Sequence, residues 1–239
     1  MKTILLKFSG PLQSWGTTSH FETRQTDRYP SKSAVIGMIA ASLGYRREET
    51  QNIQKLNDLN FGVRIDQTGV SMQDYQIAKK YNKTGELKRT YVTNRYYLED
   101  AVFVVAVGHK NHQFMNMIEE GLKRPYFQQF LGRRSAPLAA DFFLGSTKTD
   151  IEESLKKIDW QAANWYQRSN SSTLTAYVDS DLLTEGSTGM RHDRVKSFSQ
   201  RSREFGYRGE RRIEISVNTN NETSLDNMEE HNAFDSIGG

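Results

Sequence analysis

The most hydrophobic segment of the chain, Ala101 to Val107, constrains the fold more than any other feature. It reads Ala-Val-Phe-Val-Val-Ala-Val, a short apolar run rich in a β-branched residue. Such a run is typical of a strand inside a β-sheet. The longest apolar run, Ala34 to Leu43, is far too short to cross a membrane. We therefore predict a sheet with Ala101–Val107 at its centre, in a protein that is not inserted into a membrane.

The segments on either side of this strand predict alternating strands and helices. Ser31 or Ser33 can cap the helix at Ala34–Leu43, and Gly44 can end it. The other predicted helices are 46–59, 113–122 and 151–158, and the other predicted strands are 2–8, 61–65, 173–178, 190–198 and 211–217. The pattern fits an α+β, ferredoxin-like (RRM-like) domain with an inserted hairpin, in which one further strand has no secure place.

The inserted hairpin is predicted from two extended arms, Val70–Lys80 and Lys88–Leu98. Between them lies Tyr81-Asn82-Lys83-Thr84-Gly85-Glu86, a segment with the composition of a turn. The arms contain few aliphatic residues, so we expect the hairpin to lie outside the core. The predicted organisation is a domain at 1–145 with the hairpin at about 70–98, a smaller β-rich part at 146–217 and an acidic flexible tail at 218–239.

The charge is unevenly distributed along the chain. Five of the 29 acidic residues lie in the tail, which has no Lys or Arg, so the body carries 32 basic residues against 24 acidic ones. Residues 79–95 contain six basic residues and one acidic residue, and residues 191–212 contain eight and three. Tyrosines and phenylalanines are interspersed in both clusters. Cations that follow phosphates, beside rings that stack on bases, are typical of single-stranded nucleic-acid binding. Alternatively, the two basic clusters are ordinary solvent-exposed surface without a binding role.

Four segments, in this order, carry a resemblance to a known family. They are Ser9-Gly-Pro-Leu-Gln-Ser-Trp-Gly16, Tyr29-Pro-Ser-Lys-Ser-Ala-Val-Ile-Gly-Met-Ile-Ala-Ala-Ser-Leu-Gly44, Gln73-Asp-Tyr75, and Phe130-Leu-Gly-Arg-Arg-Ser-Ala-Pro-Leu138 with Phe142-Phe-Leu-Gly145. Together they resemble the CasD family of type I-E CRISPR Cascade complexes, which are repeat-associated mysterious proteins. The resemblance covers residues 1–145 well and the remainder loosely.

The resemblance implies a ferredoxin-like domain with a protruding hairpin thumb and a non-catalytic role in antiviral defence. The implied partner is the 5′ handle of crRNA, in a ribonucleoprotein with the backbone subunit CasC and the large subunit CasA. The protein would contact target DNA only as part of the assembled complex. No cofactor is implied. The absence of cysteine suits a cytoplasmic protein and excludes a thiolate metal site.

Candidate RNA-binding residues come from the motifs and the basic clusters. Ser31 to Ser33 begin a helix, whose free N–H groups favour a phosphate. Of the adjacent Arg133 and Arg134, one is expected to bind RNA and the other to pair internally or to contact a neighbouring subunit. The full predicted set is Gln13, Ser14, Trp15, Lys32, Ser33, Tyr75, Lys88, Arg89, Arg95, Phe130, Arg133 and Arg134. Trp15, Ser33 and Phe130 could instead serve the core or a helix cap.

An enzymatic alternative remains open at this level. A related branch of the family cleaves RNA without metal by using tyrosine, lysine and histidine, and Tyr45, His109 and Lys110 could imitate that trio. Nothing in their spacing requires catalysis. His109 and His112 lack a nearby carboxylate or cysteine, so no metal site is predicted.

Overall fold

The computed structural model describes residues 1–17, 22–184 and 186–218. Its strands are β1 Lys2–Ser9, β2 Leu12–Gln13, β3 Thr23–Arg24, β4 Asn60–Gln67, β5 Val70–Tyr81, β6 Leu87–Glu99, β7 Val102–His109, β8 Phe143–Thr147, β9 Thr173–Asp179, β10 Ser187–Ser197 and β11 Glu204–Ser216. Its α-helices are α1 Lys32–Ser42, α2 Thr50–Lys55, α3 His112–Lys123, α4 Ile151–Lys157 and α5 Asn164–Ser169. Most of the predicted elements are thus confirmed. None of the helices in the described ranges is long and apolar enough to span a membrane.

Seven strands form one antiparallel sheet in the order β10-β11-β9-β4-β7-β1-β8. The apolar segment that we placed centrally is β7, an interior strand between β4 and β1. The strand that had no secure place is β8, which pairs with β1. The three strands after residue 170 continue the same sheet beyond β4.

The alternation of side chains along β7 explains its continuous apolar sequence. Phe103, Val105 and Val107 face one hydrophobic core, together with the buried residues of α1 and α3. Val104 and Ala106 face a second core, which contains Ile151 and Leu155 of α4. Since successive side chains of a strand point to opposite faces, a strand covered on both faces must be apolar at every position.

Helix α1 begins and ends where the sequence predicted. The hydroxyl of Ser31 accepts a hydrogen bond from the backbone N–H of Ala34, and Gly44 follows the helix with a φ of 80°. The predicted helix at 46–59 is wrong in its first turn. The carboxylate of Glu49 accepts a hydrogen bond of 2.7 Å from the backbone N–H of Arg46. This turn delays the helix to Thr50 and leaves Arg46 and Arg47 in a loop.

The long hairpin consists of β5 and β6, which pair along their whole length. We predicted that the whole hairpin lies outside the core, but the part of β6 nearest the domain also pairs with β2 and β3. Thr93, Tyr97 and Leu98 are consequently buried. Only the outer half, from about residue 77 to 92, is exposed on both faces. The hairpin is therefore rooted in the domain and free at its tip.

Candidate nucleic-acid interface

A groove of about 1100 Å³ lies beside α1. Five arginines line the groove, and Glu48 is the one acidic residue among its lining residues. Six aromatic side chains share the wall, namely Trp15, Tyr45, Phe127, Phe130, Phe198 and Phe205. The arginines are Arg24, Arg46, Arg47, Arg134 and Arg203. An anionic chain with flat bases matches this combination of charge and rings.

The first and fourth sequence motifs meet at one wall of this groove. The backbone N–H of Ser14 donates a hydrogen bond to the Leu131 carbonyl oxygen. Gly132 has a φ of 81°, and a Cβ atom there would overlap the carbonyl oxygen of Ser14. Glycine is therefore required both for the backbone conformation and for the close approach of the two segments. The contact brings Ser14, Trp15, Phe130 and Arg134 to the same groove.

Two of the predicted residues, Gln13 and Trp15, are buried and form internal hydrogen bonds. The Gln13 amide nitrogen donates to the carbonyl oxygens of Phe8 and Ala101, at 3.2 and 2.6 Å. Its amide oxygen accepts from the Trp15 indole N–H at 3.1 Å. Trp15 also stacks on Phe8, with 5.3 Å between the ring centroids. RNA contact by the amide of Gln13 would have to break these hydrogen bonds. Gln13 and Trp15 therefore stabilise the groove wall through contacts within the protein.

The N-terminus of α1, where the sequence predicted a phosphate, already holds a carboxylate of the protein. Asp193 accepts a hydrogen bond of 2.8 Å from the backbone N–H of Lys32. The Lys32 ammonium pairs with Asp179 at 2.9 Å, and both side chains are buried. The hydroxyl of Ser33 lies 3.1 Å from that of Ser31. Phosphate binding by the Lys32 backbone or side chain would therefore compete with internal anions.

Arg133 and Arg134 take different environments, as the spacing predicted. The Arg133 guanidinium lies 4.2 Å from the centroid of the Tyr97 ring. It also donates hydrogen bonds to the carbonyl oxygens of Arg24 and Tyr96. Arg134 is exposed and lines the groove. Ser14 donates from its hydroxyl to the Tyr96 carbonyl oxygen as well, which fixes the root of the hairpin to this wall.

The remaining predicted residues lie on the hairpin. Tyr75, Lys88 and Arg89 are exposed on its arms, and the guanidinium of Arg89 lies 4.7 Å from the centroid of the Tyr91 ring. Arg95 is partly exposed and sits opposite Arg24 in the pairing of β3 with β6. Among the described residues its side chain has no hydrogen bond or ion pair. The hairpin thus carries cations and rings that are available to a partner.

The sequence analysis missed Arg24, Arg46, Arg47 and Arg203, which come from three separate parts of the chain. Partial burial lowers the pKa of Arg203, and the positive charges of Arg47 and Arg24 lower it further. Nearby like charges destabilise the protonated form, which agrees with the lining of one groove by all three residues. The sequence did contain a signal for Arg46, Arg47 and Arg203, because Arg46-Arg47 and Arg201–Arg203 are locally basic segments.

The proposed catalytic trio is not gathered in the groove. Tyr45 lines it, whereas neither His109 nor Lys110 is among the lining residues. His109 accepts a hydrogen bond of 3.0 Å from the backbone N–H of Asn111. Its ring packs edge-on against Phe114. His109 therefore stabilises the turn between β7 and α3.

Comparison with known proteins relates this geometry to a family. The sequence profile of the family described as "CRISPR-associated protein (Cas_Cas5)" matches residues 3–209. This chain belongs to that Cas5 family. The Cas5-family chain is also 32% identical over 157 residues to the CRISPR system Cascade subunit CasD of Escherichia coli (strain K12), which covers 60% of this chain and 70% of that protein.

Two solved structures resemble the Cas5-family fold closely. One is a chain of a "CRISPR RNA-guided surveillance complex", with a TM-score of 0.74, 31% identity and 90% of each chain covered. The other is titled "Crystal structure of Cas protein", with a TM-score of 0.65 and 29% identity. It covers 90% of this chain and 95% of its own. The mixed α/β architecture with largely antiparallel sheets is therefore that of Cas5 proteins.

Proposed function

We propose that this protein is a non-catalytic subunit of a CRISPR Cascade complex and that it grips the 5′ handle of crRNA. The main support for this proposal is the groove, because five arginines and six aromatic residues line it together with one acidic residue. Similarity to a Cascade subunit and to a chain of an RNA-guided surveillance complex supports RNA as the polyanion. The other proposed partners are the backbone subunit CasC, the large subunit CasA and, through the assembled complex, target DNA.

In this proposal the fold is ferredoxin-like and the outer hairpin is its thumb. The order β8-β1-β7-β4, with α1 and α3 packed on one face, supports the first assignment. The exposed basic residues of the hairpin support the second. Residues 1–145 then form the RNA-binding domain and 146–217 its β-rich support, with 218–239 as an acidic tail that lies, apart from Asn218, outside the described residues. We place the protein in the cytoplasm.

The predicted residues divide into two proposed roles. Ser14, Tyr75, Lys88, Arg89, Arg95, Phe130 and Arg134 contact RNA directly, because they are exposed or line the groove. We assign Gln13, Trp15, Lys32, Ser33 and Arg133 to the wall, because their side chains form hydrogen bonds or ion pairs within the protein. A non-catalytic role agrees with the separation of Tyr45 from His109 and Lys110.

Shortening the hairpin tests the proposal. We expect that replacing residues 79–90 with Asn-Gly, which joins Ala78 to Tyr91 across a two-residue turn, leaves the core folded. The variant loses Lys79, Lys80, Lys83, Lys88 and Arg89, so its assembly with crRNA should fail. Thermal unfolding checks the fold, and co-purification with the other subunits checks assembly. A complex that still assembles and protects the handle contradicts the thumb assignment.

The same RNA-binding assay measures the electrostatic contribution. For single strands, log K falls with log salt by about 0.7 for each phosphate neutralised, so roughly five contacts give a slope of about −3 to −4. The shortened variant should give a shallower slope. A wild-type slope near zero rejects the interface. Specific cleavage of metal-free repeat RNA, lost in His109→Ala, would favour the enzymatic alternative.

A further inference from the structure

Three arginines converge on one region of the groove from positions far apart in the sequence. Arg24 belongs to β3, Arg47 follows α1, and Arg203 lies in the connection between β10 and β11. All three side chains are exposed to solvent. All three residues line the same groove, and the positive charges of Arg47 and Arg24 lower the pKa of Arg203.

These three guanidinium groups differ from that of Arg208 in their ion pairing within the described residues. In the described ranges, none of the three forms an ion pair with a carboxylate. Arg208, by contrast, contacts Asp193, Asp179 and Glu210. Like charges held together without an anion are unfavourable. The arrangement therefore suits an anion that arrives with a ligand.

The backbone of Arg24 and the guanidinium of Arg203 are held in place before any ligand binds. The backbone of Arg24 pairs with Arg95 in β6, and its carbonyl oxygen accepts a hydrogen bond from Arg133. The guanidinium of Arg203 lies 5.2 Å from the centroid of the Phe205 ring. Preorganised donors lose little conformational entropy on binding. Planar guanidinium groups also match the non-bridging oxygens of a phosphate.

Aromatic residues of the groove wall, together with Tyr207 next to the lining residue His192, provide a surface for the neighbouring base. The rings of His192 and Tyr207 lie 4.8 Å apart. Tyr207 is 65% exposed, and Phe198 and Phe205 pack edge to face in the groove wall. A base adjacent to a fixed phosphate could stack on the exposed tyrosine.

We propose that Arg24, Arg47 and Arg203 together hold one particular phosphodiester of the guide RNA and thereby fix the register of the strand in the groove. This inference rests on the proposed function, in that RNA must occupy the groove. It adds that binding energy is concentrated at one linkage rather than spread evenly along the strand.

Neutral linkages provide the test. Full-length protein would be titrated with a series of handle oligoribonucleotides, each with one methylphosphonate in place of a phosphodiester. For wild-type protein we expect one linkage at which neutralisation weakens binding roughly tenfold or more, the range for losing charge-assisted hydrogen bonds. In Arg203→Gln, binding to unmodified RNA should weaken by a similar factor. Neutralising that same linkage should then have little further effect.

A matched control removes an arginine from the other side of the sheet. Arg168 is exposed on α5, and its neighbour Tyr166 packs against the core that contains α4. Arg168→Gln should retain wild-type affinity and the wild-type response to the modified linkage. Circular dichroism checks that both variants are folded.

The outcomes separate this inference from the proposed function. If wild-type protein does not bind unmodified handle RNA, the proposed function itself fails. If it binds, but every neutral linkage has the same small effect, the proposed function stands and the single-phosphate site is rejected. The site is also rejected if Arg203→Gln and the sensitive linkage weaken binding independently.

Discussion

Gly132 connects two of the motifs that predicted the family. Its φ of 81° and its contact with the Ser14 carbonyl oxygen leave no room for a Cβ atom. We expect Gly132→Ala to lower the free energy of unfolding by more than about 3 kcal/mol, because it combines backbone strain with a clash against backbone. Chemical denaturation measures this difference.

Gly85, at the tip of the hairpin, is the matched control for Gly132. Its φ is 86°, and a Cβ atom there would meet nothing within 4 Å. Gly85→Ala should therefore reflect backbone strain alone, about 1–2 kcal/mol. Equal effects at the two positions would mean that the Ser14 contact does not determine the requirement for glycine.

Single residues show where the sequence was informative and where it was not. The different surroundings of Arg133 and Arg134 were predicted, but the assumed extended segment was wrong. The two residues lie in a turn, in which the Arg133 carbonyl oxygen accepts a hydrogen bond of 2.9 Å from the backbone N–H of Ala136. Gln13 and Lys32 are polar residues in or beside a loop, and composition alone suggests exposure. Their burial depends on partners 88 and 147 positions away, which no local pattern reveals.

At the scale of elements, a buried ionic cluster joins α1 to β9, β10 and β11. Asp193 is fully buried and bonds to the Lys32 backbone N–H and to Arg208. Asp193→Asn should destabilise the protein by about 3–5 kcal/mol, because it removes the fully buried carboxylate of an ionic cluster and leaves part of its positive charge uncompensated. The melting temperature should fall accordingly.

An exposed ion pair between β10 and β11 provides the control for Asp193. Lys196 and Glu204 lie 2.6 Å apart with more than half of each side chain exposed. Glu204→Gln should change the free energy of unfolding by less than about 1 kcal/mol, since surface pairs are screened by solvent. If Asp193→Asn has an equally small effect, the buried cluster does not hold α1 to the C-terminal strands.

The elements themselves were largely predictable from periodicity and capping residues. The exceptions have local physical causes. The Glu49 carboxylate folds residues 46–49 into a turn before α2, and the two-residue strands β2 and β3 exist only because β6 is there to pair with them. Two of the eight basic residues at 191–212 were misleading, since Arg191 and Arg208 form ion pairs with internal carboxylates.

For the whole molecule, the continuous sheet predicts that the RNA-binding domain depends on the C-terminal strands. A fragment of residues 1–147 would lack β9, so one edge of β4 would be unpaired. It would also lack Leu174, Ala176 and Val178 of the second core. We expect this fragment to show no cooperative thermal transition, in contrast to the full chain with a shortened hairpin. A sharp transition in the fragment would show that residues 1–147 fold independently.

The strand order could not be derived from the sequence beyond the first six elements. The β-α-β-β-α-β pattern indicates β8-β1-β7-β4, because few topologies are compatible with it. The attachment of β9 to β4 requires long-range pairing across more than a hundred residues. The groove was also out of reach, because its walls come from loops that meet only in the folded chain.

The strand that covers the outer edge of β4 is translated long after β4 itself. Strands β1, β4 and β7 are complete once residue 109 has been translated, but β9 ends at Asp179. At roughly 5–20 residues per second, the ribosome needs about 4–14 s to add the intervening segment. During that time the nascent chain has an uncovered strand edge beside its most apolar strand. Its productive folding on the ribosome therefore depends on the speed of translation between residues 109 and 179.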